Sequence, residues 1–342
     1  MDGAQQTAGA GNRAAFCPGG AKIINPAPAA LLALALAFAS CAGSPRRISP
    51  GGAVPGLEKF ISQIKNNDRE VKKYFLLDSD SRIILKGTAG GFEAVYDMAR
   101  ATLLEDGRVV VPFSVEGEPG GLRHVLLWTP AEDDAGLLLS FDDDYQADWE
   151  AHFDLFDRYG AGVTFFLIGD FTPFCLRARE RGHDIGYHTA RHLNLRTVTL
   201  AVFLEETLGS LEVYRRAGIP LSSFAYPFGF SEPWMREILA GSFAVQRGFG
   251  ANFRVYNAEA VKEGYLVSVS IDNILYESDE GFEAALGTML RTVKFLGGGS
   301  ILPLTTHAIA GDAQWGIKPG RLEYLLQSGR KLGLKFYRYC DF

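Results

Sequence analysis

The chain has little cysteine, little histidine and no basic excess, and each shortage removes a class of function. Four cysteines in 342 residues cannot build a dense disulfide scaffold, and none stands in the CxxC spacing of a zinc or redox site. Lysine and arginine total 34 against 40 acidic residues, a formal charge of −6 that leaves no basic face and argues against nucleic acid as a partner. There is no internal repeat and no long low-complexity tract, which sets aside solenoids and disordered arrays. What is present is core-forming material: 47% hydrophobic residues and 12% aromatics, in a length that suits one large domain with an appendage or two domains.

The first fifty residues do not read as fold. The run AALLALALAFASC, Ala29 to Cys41, is too short to span a bilayer but has the length of a signal-peptide core and ends in small residues before cysteine. That ending resembles a lipoprotein signal, although Phe38 stands where leucine is usual and only Arg13 and Lys22 bring positive charge. The resemblance implies a signal peptide over 1–40, cleavage before Cys41, a lipid on Cys41 and export to a bacterial cell envelope. A Pro/Gly/Ser-rich tether over 41–55 fits this better than a buried apolar helix does. Of the remaining cysteines, Cys17 lies in the leader, while Cys175 and Cys340 either pair or stay as two isolated thiols.

Residues 56–133 read as a small α+β region without recognisable chemistry. Gly56 to Phe75 and FEAVYDMARATLL have helical patterns, and RVVVPFSV and LRHVLLW have strand patterns. From about residue 134 to 342 strands and helices alternate, which predicts a mostly parallel sheet with helices outside, open or closed into a barrel. In either form ligands collect at the carboxyl ends of the strands.

Three of those ends carry chemistry. The strand LLLSF runs into Asp142, Asp143 and Asp144, three adjacent acids that repel one another unless water or a positive group relieves them. HDIGYHTARH places His188 and His192 four apart, which in a helical turn puts both rings on one side, and SILPLTTH ends in His307. The other three histidines, His124, His152 and His183, read as ordinary core or surface residues.

These segments, in this order, resemble the polysaccharide deacetylases of the NodB-homology type, carbohydrate esterase family 4. SFDDDY is similar to their TFDDG motif, RGHDIGYHTARH to their G-H-E-I-x-x-H-[ST]-x-x-H segment, FAYPFG to their third motif and LPLTTH to their closing leucine-histidine motif. The resemblance runs from Leu137 to about Tyr339 and implies a distorted (β/α) barrel that hydrolyses N- or O-acetyl groups on a polysaccharide. By matching positions it implies a divalent metal, zinc by ligand type, on Asp143, His188 and His192. It further implies Asp142 as general base, His307 as general acid and the Phe228 backbone N–H as an oxyanion donor.

The sequence departs from that pattern in places. The arginine that often opens the third motif, pairing with the catalytic aspartate, is replaced by Ala225, and Arg247 or Arg254 are the substitutes at hand. Asp144 stands where glycine is usual. The fourth motif is only echoed in SIDNILY, where Asp272 either orients His307 or is an exposed loop acid. Two other classes compete with a deacetylase: a metal amidase acting on a non-sugar amide, and a glycan-binding lipoprotein that has lost catalysis.

Overall fold

The computed structural model describes residues 61, 82–86, 93–118, 123–130, 132–250 and 253–342. The leader, the tether, Cys17, Cys41 and all but Ile61 of the helix expected over Gly56–Phe75 lie outside the described residues. No helix among the described residues is long and apolar enough to cross a membrane.

The first sheet is antiparallel, built from β1 (Arg82–Lys86), β2 (Glu93–Asp97), β3 (Thr102–Leu103), β4 (Val109–Val115) and β5 (Arg123–Trp128). The segment FEAVYDMARATLL, expected as a helix, is instead β2, one 3-10 turn and β3. Its burial alternates with period two: Ala94 and Tyr96 are buried while Glu93, Val95 and Asp97 are half-exposed. That is the pattern of a strand with one face on a core, and the five-residue stretch is too short for its apolar residues to define a helical period. The buried face meets the second part of the chain through Tyr96 and Trp128, whose rings lie 5.0 and 5.2 Å from that of Phe295.

The second part alternates strand and helix as the pattern predicted. It runs β6 (Gly136–Asp143), α1 (Gln146–Glu150), α2 (Phe153–Tyr159), β7 (Thr164–Leu167), α3 (Pro173–Glu180), β8 (Asp184–Tyr187), α4 (Leu200–Leu208), α5 (Leu211–Arg216) and β9 (Ser223–Ala225). It continues with α6 (Pro233–Leu239), β10 (Val245–Gly250), β11 (Tyr256–Asn257), α7 (Ala258–Lys262), β12 (Tyr265–Ser270) and α8 (Asp279–Leu296). The last elements are β13 (Ser300–Thr306), β14 (Ala308–Ile309), β15 (Gly316–Ile317), α9 (Pro319–Lys331) and β16 (Lys335–Tyr337). Parallel pairing runs β6, β7, β8, β9, β10, β12, β13 and returns from β13 to β6, so the sheet is a closed (β/α) barrel.

The barrel is distorted at β6. Its first half, Gly136–Leu138, pairs with β16, and its second half, Ser140–Asp143, pairs with β7. Side chains alternate between the helix layer and the interior, where Leu138, Phe166, Ala225, Leu266, Ile301 and Tyr339 form a core of their own. Gly186 belongs to this packing: a Cβ there would stand 2.3 Å from the ring of Phe166. Cys175 and Cys340 are both free, which settles the pairing alternative against a disulfide.

Candidate active site

Among the described residues every non-glycine with positive φ lies on the loops at the carboxyl ends of the strands: Asp143 (82°), Thr189 (71°), His192 (55°) and Phe228 (60°). Such conformations cost of order 1–3 kcal/mol each and cluster where the surroundings impose them. At Asp143 the effect is plain. Strand alternation would send Asp142 and Asp143 to opposite sides, but the left-handed turn at the last residue of β6 aims Asp143 at the histidines while Asp142 points into the barrel.

His188 and His192 do converge, though not through a helical turn. His188 follows β8 directly, and the chain then folds through left-handed Thr189, whose hydroxyl accepts the His192 N–H at 3.0 Å. The imidazole rings come within 4.9 Å. Arg191, between them, is tied by backbone N–H (2.9 Å) and guanidinium to Glu206 on α4, a carboxylate with no exposed surface. Asp143 Oδ1 lies 3.5 Å from His188 Nε2 and 3.4 Å from His192 Nε2. Burial disfavours the Asp143 charge, but His188, His307 and His192, when protonated, hold its carboxyl down at about 2. Burial, with His188 adding to it, lowers the basicity of His192 and favours the neutral ring.

These three residues fit a divalent cation. One oxygen or nitrogen from each can be chosen so that all lie within 4.8 Å of one another. Asp143 Oδ1 is buried without a hydrogen-bond partner among the described residues. His188 Nδ1 stands 2.8 Å from the Ala225 carbonyl oxygen, which fixes the proton on Nδ1 and leaves the Nε2 lone pair facing Asp143. Two neutral imidazoles and one carboxylate are a usual set for an open catalytic zinc site.

On one side of this group Asp142 is held by Arg247. The guanidinium Nη2 donates to Asp142 Oδ2 at 2.5 Å, and Nη1 donates to Ser268 Oγ at 3.2 Å. Both charged partners are inside the barrel, with Arg247 fully buried over the face of Phe166 at 5.1 Å. Asp142 Oδ1 has no partner among the described residues. Arg247 is the register partner of Ala225 in the β9–β10 pair, so the missing arginine of the third motif reappears on the adjacent strand, at the same height. Arg254 is exposed and takes no part in this bond.

His307 stands beyond the end of β13. Its Nδ1 lies 3.0 and 3.1 Å from the two carboxylate oxygens of Asp272, and its carbonyl accepts the Trp149 indole N–H at 2.8 Å. Asp272 is fully buried rather than an exposed loop acid, and it also accepts from Thr306 Oγ1 at 2.8 Å and Ser270 Oγ at 2.6 Å. Burial works against charge on His307, but Asp272, with Asp142 and Asp143 farther off, raises it to about 9.

Phe228 lies in the turn Tyr226–Gly229, closed by the Gly229 N–H on the Tyr226 carbonyl at 2.9 Å. Its ring leans on His192 at 4.7 Å and is 42% exposed. Asp144 faces outward and accepts from the Gln146 amide at 2.5 Å. His124, His152 and His183 stay apart from the site: His183 is buried among Phe153, Phe156 and Phe165, His152 bonds the Asp148 carbonyl, and His124 bonds Glu118.

Residues 130–241 match the family model described as polysaccharide deacetylase. This segment is similar to polysaccharide deacetylase domains. The match spans the aspartates, both metal-site histidines and the Phe228 turn; His307 and Asp272 lie beyond it, on the later strands of the same barrel. No curated protein matches the sequence. Among solved structures the chain is similar to a family 4 carbohydrate esterase from Streptomyces lividans in complex with acetate, with 16% identity, 60% of this chain and 92% of that chain covered, and a TM-score of 0.44. A chitin deacetylase from the fungal pathogen Colletotrichum lindemuthianum is similar at 15% identity, with 62% and 90% covered and a TM-score of 0.43. The peptidoglycan deacetylase PdaC from Bacillus subtilis is similar at 14%, with 62% and 91% covered and a TM-score of 0.42.

Three residues of the deacetylase site were not singled out by sequence. Glu206 reads as one of several helix acids, Asn273 stands unremarked beside Asp272 in SIDNILY, and Trp315 lies in a loop without motif spacing. Arg247 had one legible signal, a lone cation in the short strand VQRGFG that begins at Val245.

Proposed function

We propose that the protein is a divalent-metal-dependent hydrolase that removes acetyl groups, on nitrogen or oxygen, from a polysaccharide of the cell envelope or its surroundings. The observation that carries this reading is the placement of two differently tuned groups around the Asp143–His188–His192 cluster: a carboxylate pinned on one oxygen by Arg247, and an imidazole whose proton Asp272 retains.

Bound by those three residues, a divalent ion would supply Lewis acidity and lower the pKa of water toward roughly 7. Asp142 accepts the proton of the attacking water on Oδ1, the oxygen that Arg247 leaves free. As the water oxygen bonds the acetyl carbon, negative charge grows on the carbonyl oxygen, and the Phe228 N–H donates to it. His307 then gives its Nε2 proton to the departing sugar nitrogen or oxygen as the bond to the acetyl carbon breaks, releasing acetate. Asp272 on Nδ1 keeps His307 protonated near neutrality and turned the right way. The left-handed Asp143 and Phe228 bring a ligand and an oxyanion donor to one mouth.

The support for zinc is the ligand set alone, and the support for export and a lipid at Cys41 is the leader and tether pattern of residues 1–55. Acetate release from acetylated peptidoglycan, chitin oligomers and acetylxylan, with and without chelator, tests the activity. Release from at least one, abolished by chelator and restored by zinc, is expected. Binding of a glycan without release from any would replace the enzyme by a binding protein.

A further inference from the structure

The segment that carries Asp272 also carries an asparagine with a separate task. Asn273 uses both ends of its amide: Nδ2 donates to the carbonyls of Ala313 (2.9 Å) and Ala310 (3.3 Å), while Oδ1 accepts from the Lys318 N–H (3.0 Å) and Arg321 Nη1 (3.3 Å). Its neighbour Ile274 donates its N–H to the Gln314 carbonyl at 3.1 Å. Arg321 is buried and itself held by Asp279 at 2.7 Å, so the clamp has a rigid base on α9 and α8.

What the clamp grips is the largely exposed loop between β14 and β15, whose two ends are closed on each other by the two-residue β14–β15 pairing, a sheet separate from the barrel. The loop presents Trp315, whose ring is 42% exposed and stands edge-on to His307 at 5.9 Å between centroids. Gly316 lets the chain pass under Ala308 at this point; a Cβ there would lie 2.5 Å from the Ala308 carbonyl oxygen. An indole left 42% exposed beside the general acid is held only in part by burial, so its position depends on the loop backbone as well.

We propose that Asn273 is a positioning residue that clamps the loop over 310–315 and so holds Trp315 beside His307 as the wall against which a sugar ring of the substrate rests. This rests on the deacetylase reading of the site. The apolar face of a pyranose packs on an aromatic ring, as partly wet interfaces use indole elsewhere. Asp272 and Asn273, adjacent in sequence, would then fix the acid and the wall in one register.

The test uses Asn273→Ala, Asn273→Asp, Trp315→Ala, Trp315→Phe and the Asn273→Ala/Trp315→Ala double variant in the full chain. Acrylamide quenching of the emission assigned to Trp315, taken as the difference from Trp315→Phe, should rise about twofold in Asn273→Ala, as a released exposed indole requires. Asn273→Asp keeps the acceptor contacts to Lys318 and Arg321 and loses both donors to the loop, so it should show the same rise with an unchanged melting temperature. With tetra-N-acetyl chitotetraose, KM should increase about tenfold in both Asn273→Ala and Trp315→Ala with kcat changed less than threefold, and the double variant should be no worse than Trp315→Ala, because the two residues act through one contact. Unchanged quenching in both Asn273 variants, or KM effects that multiply in the double variant, would overturn the proposal. If the parent protein releases no acetate from any acetylated glycan, the proposed function fails, and the quenching result alone still decides whether Asn273 holds Trp315.

Discussion

Replacing Arg247 by methionine removes a cation from the barrel interior without leaving a large hole, so the consequence falls on Asp142. Both partners are nearly without exposed surface, and the Asp142 carboxylate has no other charged group bonded to it. Breaking a buried pair from one side costs about 3–5 kcal/mol, against roughly 0–1 for a surface pair. With a urea dependence of about 3 kcal/mol per molar for a chain of this size, Arg247→Met should lower the unfolding midpoint by about 1–2 M. Asp142→Asn alone should also destabilise, since it leaves the guanidinium with only Ser268 and the face of Phe166. The double variant places a neutral amide against an apolar chain and should recover more than half of the loss, a coupling of about 2 kcal/mol or more. Urea unfolding of the parent, the two single variants and the double variant, read by tryptophan fluorescence, measures the cycle. A midpoint within 0.3 M of the parent for Arg247→Met (roughly 1 kcal/mol on the same slope), or a double variant no more stable than Arg247→Met, would refute the account of Arg247 as the charge partner of Asp142.

Asp142→Asn should leave the content of divalent metal unchanged while lowering turnover by roughly a hundred-fold or more, whereas Asp143→Ala should lose the metal; equal metal content in the two would mean that the roles are wrongly divided. His307 is raised to about 9 in the fold, so its charged form contributes stability that is complete below the ordinary imidazole value of about 6.5 and is lost as pH rises through about 9. Turnover should likewise fall above about 9, and Asp272→Asn should move that fall to lower pH, because the amide no longer holds the proton on the ring; a pH profile that does not move would separate Asp272 from the acid. If Cys41 carries lipid, Cys41→Ala should move the protein from the detergent phase to the aqueous phase on phase partition, and an unchanged distribution would remove the anchor.

The alternating parallel sheet was legible because parallel strands buried on both faces leave apolar runs, and each such run became a strand, but its closure into a barrel was implied by the family resemblance alone. FEAVYDMARATLL was misread because acids and apolar residues at mixed spacing satisfy a helical window, while the deciding fact, that Ala94 and Tyr96 share one buried face, depends on pairing with β1 and β4 on either side. Asp143, His188 and His192 were legible as residue types at strand ends. How they meet was not, because left-handed φ at Asp143, Thr189 and His192 is imposed by surroundings such as the Glu206 anchor rather than announced by glycine. Asp272 had two readings, and the choice between them needed its burial beneath His307.

Arg247 carries the more general lesson about motifs. A motif is a string, but the requirement behind it is a cation at a given height inside the barrel, within hydrogen-bond reach of the carboxylate at the end of β6. Parallel register makes Ala225 and Arg247 neighbours at one height. The interior can therefore receive the guanidinium from either strand, provided that the strand not chosen carries a small side chain to make room. Ala225, fully buried, is that small residue. The reasoning makes a further demand on the pair: moving the arginine back, as Ala225→Arg with Arg247→Ala, should restore turnover lost in Arg247→Ala if height alone matters. Ala225→Arg by itself should fail to fold, since two buried guanidinium groups would compete for one carboxylate. Recovery of acetate release in the swapped variant to within about tenfold of the parent, a gap of about 1.4 kcal/mol, is the expected result. No recovery in a swapped variant that folds and binds metal would show that the direction of approach, over the face of Phe166 and past Ser268, matters as much as the charge.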